Sequence, residues 1–311
     1  MGVFSCEQVV DLINGARQSE SITMQELFEE FISNSNAKPS TLKEYSNRWN
    51  SMGKHFDVNM PVKAFSRYSI LKIMEGLKKR KINDTSINSY LGVLSSIINY
   101  AKNCAMVEFK VNPFAGITKP KTKIRQSWLS VDEIKYISDI ELKKNNLIWC
   151  RDLFMLSYYL GGINLTDLLD INFNDCHNTL SYVRHKTERL NPYAVSFSIP
   201  EEGMEIINRY KGENGHLNFG RSSIKSKILS NTPRNISILS KLTGIDNLIF
   251  YSARKSFSQH AFELGIQTPI IDYLLGHKIM HMRGGVSIYA YVKVTPEIAT
   301  EALRKVLDNL K

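Results

Sequence analysis

Cysteine is scarce in this 311-residue chain: Cys6, Cys104, Cys150 and Cys176 lie far apart, with no C-x-x-C pair. That spacing supports neither a disulfide framework nor a thiolate metal site. It leaves the four thiols as small buried hydrophobes in a reducing compartment. Long apolar runs are also missing. No stretch reaches the roughly 18 residues that a bilayer-spanning helix needs, so no membrane partner is expected. The opening MGVFSCEQVVDLI lacks the basic start and the cleavage site of a secretory signal, which makes the cytoplasm the expected location. Acids are outnumbered: 30 Asp and Glu face 40 Lys and Arg, a formal net charge of +10. Such an excess draws a chain to polyanions, nucleic acid first among them. Length and a 43% hydrophobic content suit a globular protein of two domains.

What is abundant is helical periodicity. Thr23-Met24-Gln25-Glu26 is a capping box followed by Leu27, Phe28 and Phe31 on one face. Thr41-Leu42-Lys43-Glu44 predicts the opening of a second helix, with Leu42, Tyr45 and Trp49 along one side. A third is predicted over Ser66–Lys79 with Ile70, Ile73, Met74 and Leu77 inward, and a fourth from Asp84 through Tyr90, Leu94, Ile97, Ile98 and Ala101. Four such helices pack most simply as a bundle. Asn112-Pro113-Phe114-Ala115-Gly116 ends it, and the basic, polar ITKPKTKIRQ follows as a linker. Ser130-Val131-Asp132-Glu133 is another capping box, leading Ile134, Tyr136 and Ile137 into a helix, and 153–160 is densely apolar. TLSYVRHKTERLNPYAVSFSIP then alternates around a polar turn, as one or two hairpins do. Helical character resumes after Pro200. The expected fold is mainly α: a helical bundle at 21–116, a linker at 117–129, and a mostly α domain with a small antiparallel sheet at 130–311. The short segment 1–20 stands ahead of these.

Charge is concentrated in the bundle. From Lys38 to Lys81 eleven Lys or Arg face three acids. Lys43, Arg48, Lys54, Lys63, Arg67 and the run Lys78-Lys79-Arg80-Lys81 are candidates to lie along phosphate backbones, where each neutralised phosphate releases a counterion. The plainer alternative is a solvated helical face.

The second domain carries the oddly placed polar residues. Lys186 sits in the hairpin VRHKTERL, Arg254 at a helix start, His277 after Leu275-Gly276, and Tyr289 and Tyr291 after Gly284-Gly285. Taken singly, each has a bland explanation as a solvated lysine, a helix-end residue or a core tyrosine. Together, YSARKSFSQHAFELGI, IIDYLLGHK and VSIYAYV resemble the tyrosine recombinases, the phage-integrase group. That family shows H-x-x-R, then L-G-H, then a tyrosine, with a lysine in an upstream β-turn. The resemblance implies a helical core-binding domain before a catalytic one, double-stranded DNA as partner, no cofactor, and a bacterial, nucleoid-associated setting. It implies that Tyr289 attacks a phosphodiester to form a 3′-phosphotyrosine, with Tyr291 the alternative nucleophile. By the same resemblance Lys186 protonates the leaving oxygen, while Arg254 and His277 hold the phosphate.

Two positions depart from the family pattern. In GGINLTDLLDI, Asn164 stands where the first arginine belongs, while Asp167 keeps the acidic place. Asparagine brings no charge, and a charge-assisted hydrogen bond is about twice as strong as a neutral one. Either the chain binds DNA without recombining it, or another cation substitutes: Arg151, Arg283 or Arg184. Tyr251 replaces the histidine of H-x-x-R, and its hydroxyl still suits a phosphate oxygen. The glycine pair before Tyr289 makes the nucleophile segment easy to reposition. Thr295-Pro296-Glu297 starts a last helix, with Ile298, Ala302, Val306 and Leu307 on its apolar face. The resemblance implies that this helix docks on a neighbouring protomer and links a tetramer on DNA. It leaves two readings of residues 1–20: the end of a missing arm-binding domain, or the start of a simple recombinase without one.

Overall fold

The computed structural model describes residues 22–122, 127–176, 178–186, 188, 194–220, 224–277 and 293–311. The expectations for Tyr289, Tyr291, Arg283, Gly284-Gly285, Cys6 and the segment 1–20 lie outside the described residues. The chain divides into two compact units, Met1–Ile124 and Arg125–Lys311.

The first unit holds α1 (Met24–Ser33), α2 (Pro39–Met52), α3 (Arg67–Lys79) and α4 (Asp84–Asn103). Thr23 and Glu26 exchange the two bonds of a capping box at the start of α1. α2 opens at Pro39 rather than at Thr41, because a proline in the first turn has no N–H left unsatisfied there. Leu27, Trp49, Met52, Ile70, Ile73, Leu77, Leu94 and Ile97 form a fully buried core, and Phe28 stacks on Trp49 with centroids 4.6 Å apart. Each such side chain contributes on the order of 2 kcal/mol by leaving water. Leu42 and Tyr45 are only half-buried. Cys104 differs from expectation: it lies at the C-cap of α4 and is exposed, whereas Cys150 and Cys176 are buried.

The second unit is built around α6 (Asn145–Tyr159), which is mostly apolar and buried along most of its length. Around it stand α5 (Val131–Asp139), α8 (Glu201–Tyr210), α9 (Lys225–Thr243) and α10 (Ser252–Glu263). The short α7 (Leu165–Asp170) follows α6, and α11 (Thr268–Leu274) follows α10. Among the described residues there is one antiparallel pair, β1 (Thr179–Tyr182) with β2 (Val195–Ser198), in the register Leu180↔Phe197 and Tyr182↔Val195. Leu180, Tyr182, Val195 and Phe197 point into the core, as the two-residue period requires.

The last helix, α12 (Pro296–Asp308), covers its own unit. Ala299, Ala302, Leu303, Val306 and Leu307 are buried, while Ile298, expected on the apolar face, is 40% exposed. Arg304 grips Glu202 of α8 through two bonds of 2.8 and 2.9 Å, Ser198 N donates to Thr300 Oγ1, and Lys305 reaches the Leu264 carbonyl. Within the single chain the apolar stripe lies against β2, α10 and α11. Among the described residues no helix is long and apolar enough to cross a membrane.

Candidate active site

The L-G-H stretch is a helix stop of a definite kind. Gly276, at φ +60°, is the left-handed residue after the α11 C-cap Leu275. Its N–H bonds the Tyr273 carbonyl at 2.8 Å, and the His277 N–H bonds the Asp272 carbonyl at 2.9 Å. This is the Schellman pair of hydrogen bonds, which folds the residue after the glycine back over the last turn. His277 is thereby aimed at the first turn of α10, where Arg254 is only 3% exposed.

Arg254 ties three segments together. Its Nη1 donates to the Gly162 carbonyl at 2.9 Å, and its Nη2 to the Leu275 carbonyl and toward His277 Nε2, at 3.1 Å from the latter. Gly162 has to be glycine: at φ +80° an added Cβ would stand 2.8 Å from the Arg254 Cα. Burial pulls the Arg254 guanidinium below its ordinary pKa. Nearby Arg184 adds to that, while Tyr182 and the Tyr251 hydroxyl, to which Arg254 is hydrogen-bonded, oppose it. Burial is also the main reason that the His277 pKa is lowered; Arg254 and Arg184 push the same way, and the Asp272 hydrogen bond opposes.

Arg184 comes to the same place from the far side, just past β1. It is buried, its Nε has no hydrogen-bond partner, and its Cβ and Cδ pass so close to Gly276 that a Cβ there would meet them at 3.1 and 3.3 Å. Lys186 stands exposed two residues further on. Asp167, buried on α7, accepts the His185 N–H at 3.1 Å and so anchors this turn. Buried Tyr182 lies in the electrostatic reach of Arg254, Asp167 and Arg184, and burial drives its phenol pKa up.

The structure thus brings Arg254, His277, Arg184 and Asp167 together, with Tyr251, 42% exposed, at the N-cap of α10. Asn164 is the N-cap of α7, half-buried and making no side-chain cap bond. Arg151 is not part of the group. Its guanidinium is held by Asp152 at 2.6 Å and by the Ser138 and Ile140 carbonyls, in a separate network with Arg209 and Tyr210. In the first unit Lys43, Lys54, Lys63, Arg67, Lys78, Lys79, Arg80 and Lys81 are exposed and Arg48 is half-buried. Arg48 pairs with Glu44 and Lys79 with Glu75, and Arg80 bonds Ser51. Sequence patterning missed Asp272. The signal was present, since the third residue from a helix end and the residue after its glycine meet in a Schellman stop.

The chain matches no protein-family model. It is 25% identical over 261 residues to a tyrosine recombinase of Pseudothermotoga lettingae, covering 81% of this chain and 86% of the relative. It is also 25% identical over 244 residues to the tyrosine recombinase XerA of Pyrococcus horikoshii, covering 76% and 78%. Both of these relatives are tyrosine recombinases. In fold, the chain is similar to a lambda integrase tetramer solved on a Holliday junction, with a TM-score of 0.65, 18% identity, and coverage of 91% of this chain and 86% of that one. It is likewise similar to the Tn1549 transposon integrase solved with a circular intermediate DNA, with a TM-score of 0.66, 13% identity, and coverage of 83% and 92%.

Proposed function

We propose that the chain is a site-specific DNA recombinase or integrase that cuts and rejoins a strand through a covalent 3′-phosphotyrosine, using neither metal nor ATP. The observation that carries the proposal is Arg254 beside His277 at 3.1 Å with buried Arg184 next to them, its Nε unpartnered. A buried cation with an idle donor is costly unless an anion completes it. Two guanidiniums and an imidazole around one place suit a phosphodiester, whose non-bridging oxygens gain charge as it is attacked. Arg184 takes the part that Asn164 lacks the charge to play. Lys186 protonates the leaving 5′-oxygen, Tyr251 adds a hydroxyl donor, and Tyr289 attacks, with Tyr291 the alternative. The first unit serves as a core-type DNA-binding domain whose exposed lysines and arginines follow the phosphate backbone. Assembly as a tetramer on DNA through α12 belongs to the same proposal, and that exchange has to break the Arg304–Glu202 pairing.

Trapping on a nicked site duplex tests this. Tyr289→Phe loses the covalent adduct and Tyr291→Phe keeps it; an adduct with Tyr289→Phe would show the nucleophile to be wrong. Asn164 favours a second reading, an inert DNA-binding relative. A wild-type chain that shifts site DNA yet never forms an adduct would establish that instead.

A further inference from the structure

His277 is placed to do opposite things in the free and the loaded site. A guanidinium has only donors, so Nε2 of His277, 3.1 Å from Arg254 Nη2, must present its lone pair. The ring proton then sits on Nδ1, where it donates to Asp272 Oδ1 at 3.1 Å. A phosphate oxygen is also only an acceptor. To bind one, Nε2 must carry a proton, and with Nδ1–H kept the ring must become an imidazolium. That change is opposed in the free chain by Arg254 from α10 and Arg184 from the turn after β1. Among the described residues, Asp272, on α11 itself, is the carboxylate that acts on the ring in the other direction.

We propose that Asp272 is a positioning residue that fixes the His277 tautomer in the free site and holds the imidazolium when a phosphate group enters between Arg184 and Arg254. The proton comes from water as the anion arrives. When Nε2 becomes a donor, the Arg254 N–H that had been given to it is released and turns to the same phosphate. One proton thus adds two donors to the oxyanion, which is the direction that stabilisation of the reacting phosphorus demands. The pairing is built by the helix stop: the 6→1 bond from His277 N to Asp272 O sets the two side chains side by side. The inference rests on the recombinase proposal for the identity of the phosphate, but not for its test.

The test is ¹⁵N-histidine NMR of the full chain from about pH 5 to 8, the range in which imidazoles titrate. The His277 signals are assigned by their absence in His277→Gln, and inorganic sulfate serves as a phosphate stand-in. The free wild type is expected to show the Nδ1–H tautomer. Sulfate is expected to raise the His277 pKa by about one to three pH units, the range for an opposite charge at close contact. Asp272→Asn cuts that rise to below about one unit, and Asp272→Glu restores part of it. A free Nε2–H tautomer, or an equal sulfate-induced rise in Asp272→Asn, would overturn the inference. Adduct trapping on a nicked site duplex separates the two proposals. An active wild type whose acid limb is unmoved by Asp272→Asn sinks the role of Asp272 alone. A wild type that never forms adduct sinks the recombinase proposal and leaves the NMR result standing.

Discussion

Asp167 on α7 holds the turn after β1 by accepting the His185 N–H at 3.1 Å. One carboxylate thereby fixes the backbone between Arg184, which points inward, and Lys186, which stands outside. Losing it frees the turn and leaves a buried side of α7 unfilled. Asp167→Ala is expected to lower stability by about 1–3 kcal/mol, the cost of removing a hydrogen bond to a charged group. On the recombinase proposal adduct formation falls as well, because Lys186 loses its place. Asp167→Asn, which keeps an acceptor, is milder in both urea denaturation and trapping assays.

In the proposed reaction Arg184 supplies the cation that position 164 does not. Arg184→Ala is expected to reduce the rate of adduct formation by about 10²–10³-fold, the scale for removing one donor to a reacting oxyanion. Arg184→Lys recovers part of it, since lysine restores charge without the planar fork. Arg151→Ala, which breaks a separate network, leaves the chemical step unchanged while lowering the melting temperature. A full-rate Arg184→Ala protein would exclude Arg184 from the reaction.

Gly162 lets the α6–α7 corner lie against Arg254. Two glycines separate backbone strain from this close approach. Gly244, at φ +71°, has open space where a Cβ would stand, with no neighbour within 4 Å. Alanine there suffers only the left-handed conformation, about 1–2 kcal/mol. Gly162→Ala adds a 2.8 Å approach to the Arg254 Cα, and is expected to destabilise the fold by about 1–3 kcal/mol more. Chemical denaturation of the two variants reads the difference.

Acid weakens the second unit through His260. This ring is buried between the Tyr158 hydroxyl and the Leu129 carbonyl, each at 2.8 Å, and burial is the main reason its pKa is lowered. Unfolding returns it to an ordinary value near 6.5. Below that pH the unfolded chain binds the extra proton, so stability present above about 6.5 is lost as pH falls. His55 and His277, also lowered by burial first, act with the same sign. Melting temperatures are expected to drop from pH 7 toward about pH 5, with a shallower slope in His260→Gln.

Much of this was legible in the residues because it is local. Capping boxes at Thr23 and Ser130 and the period of α3 and α4 act over three or four positions, so the chain carries them in its order. The start of α2 was less legible, because a first-turn proline competes with the Thr41 signal. The basic character of the first unit and the L-G-H stop were equally visible.

The sequence by itself determined a helical chain, rich in positive charge, with an arginine, a histidine and a lysine in recombinase-like settings. Only the tertiary structure decided which arginine meets which histidine. Gly162 and Arg254 are 92 residues apart and Arg254 and His277 are 23 apart, joined by packing rather than by period. Burial, which left Arg184 with an idle donor and engaged Arg151 elsewhere, depends on the whole core of the second unit closing around them.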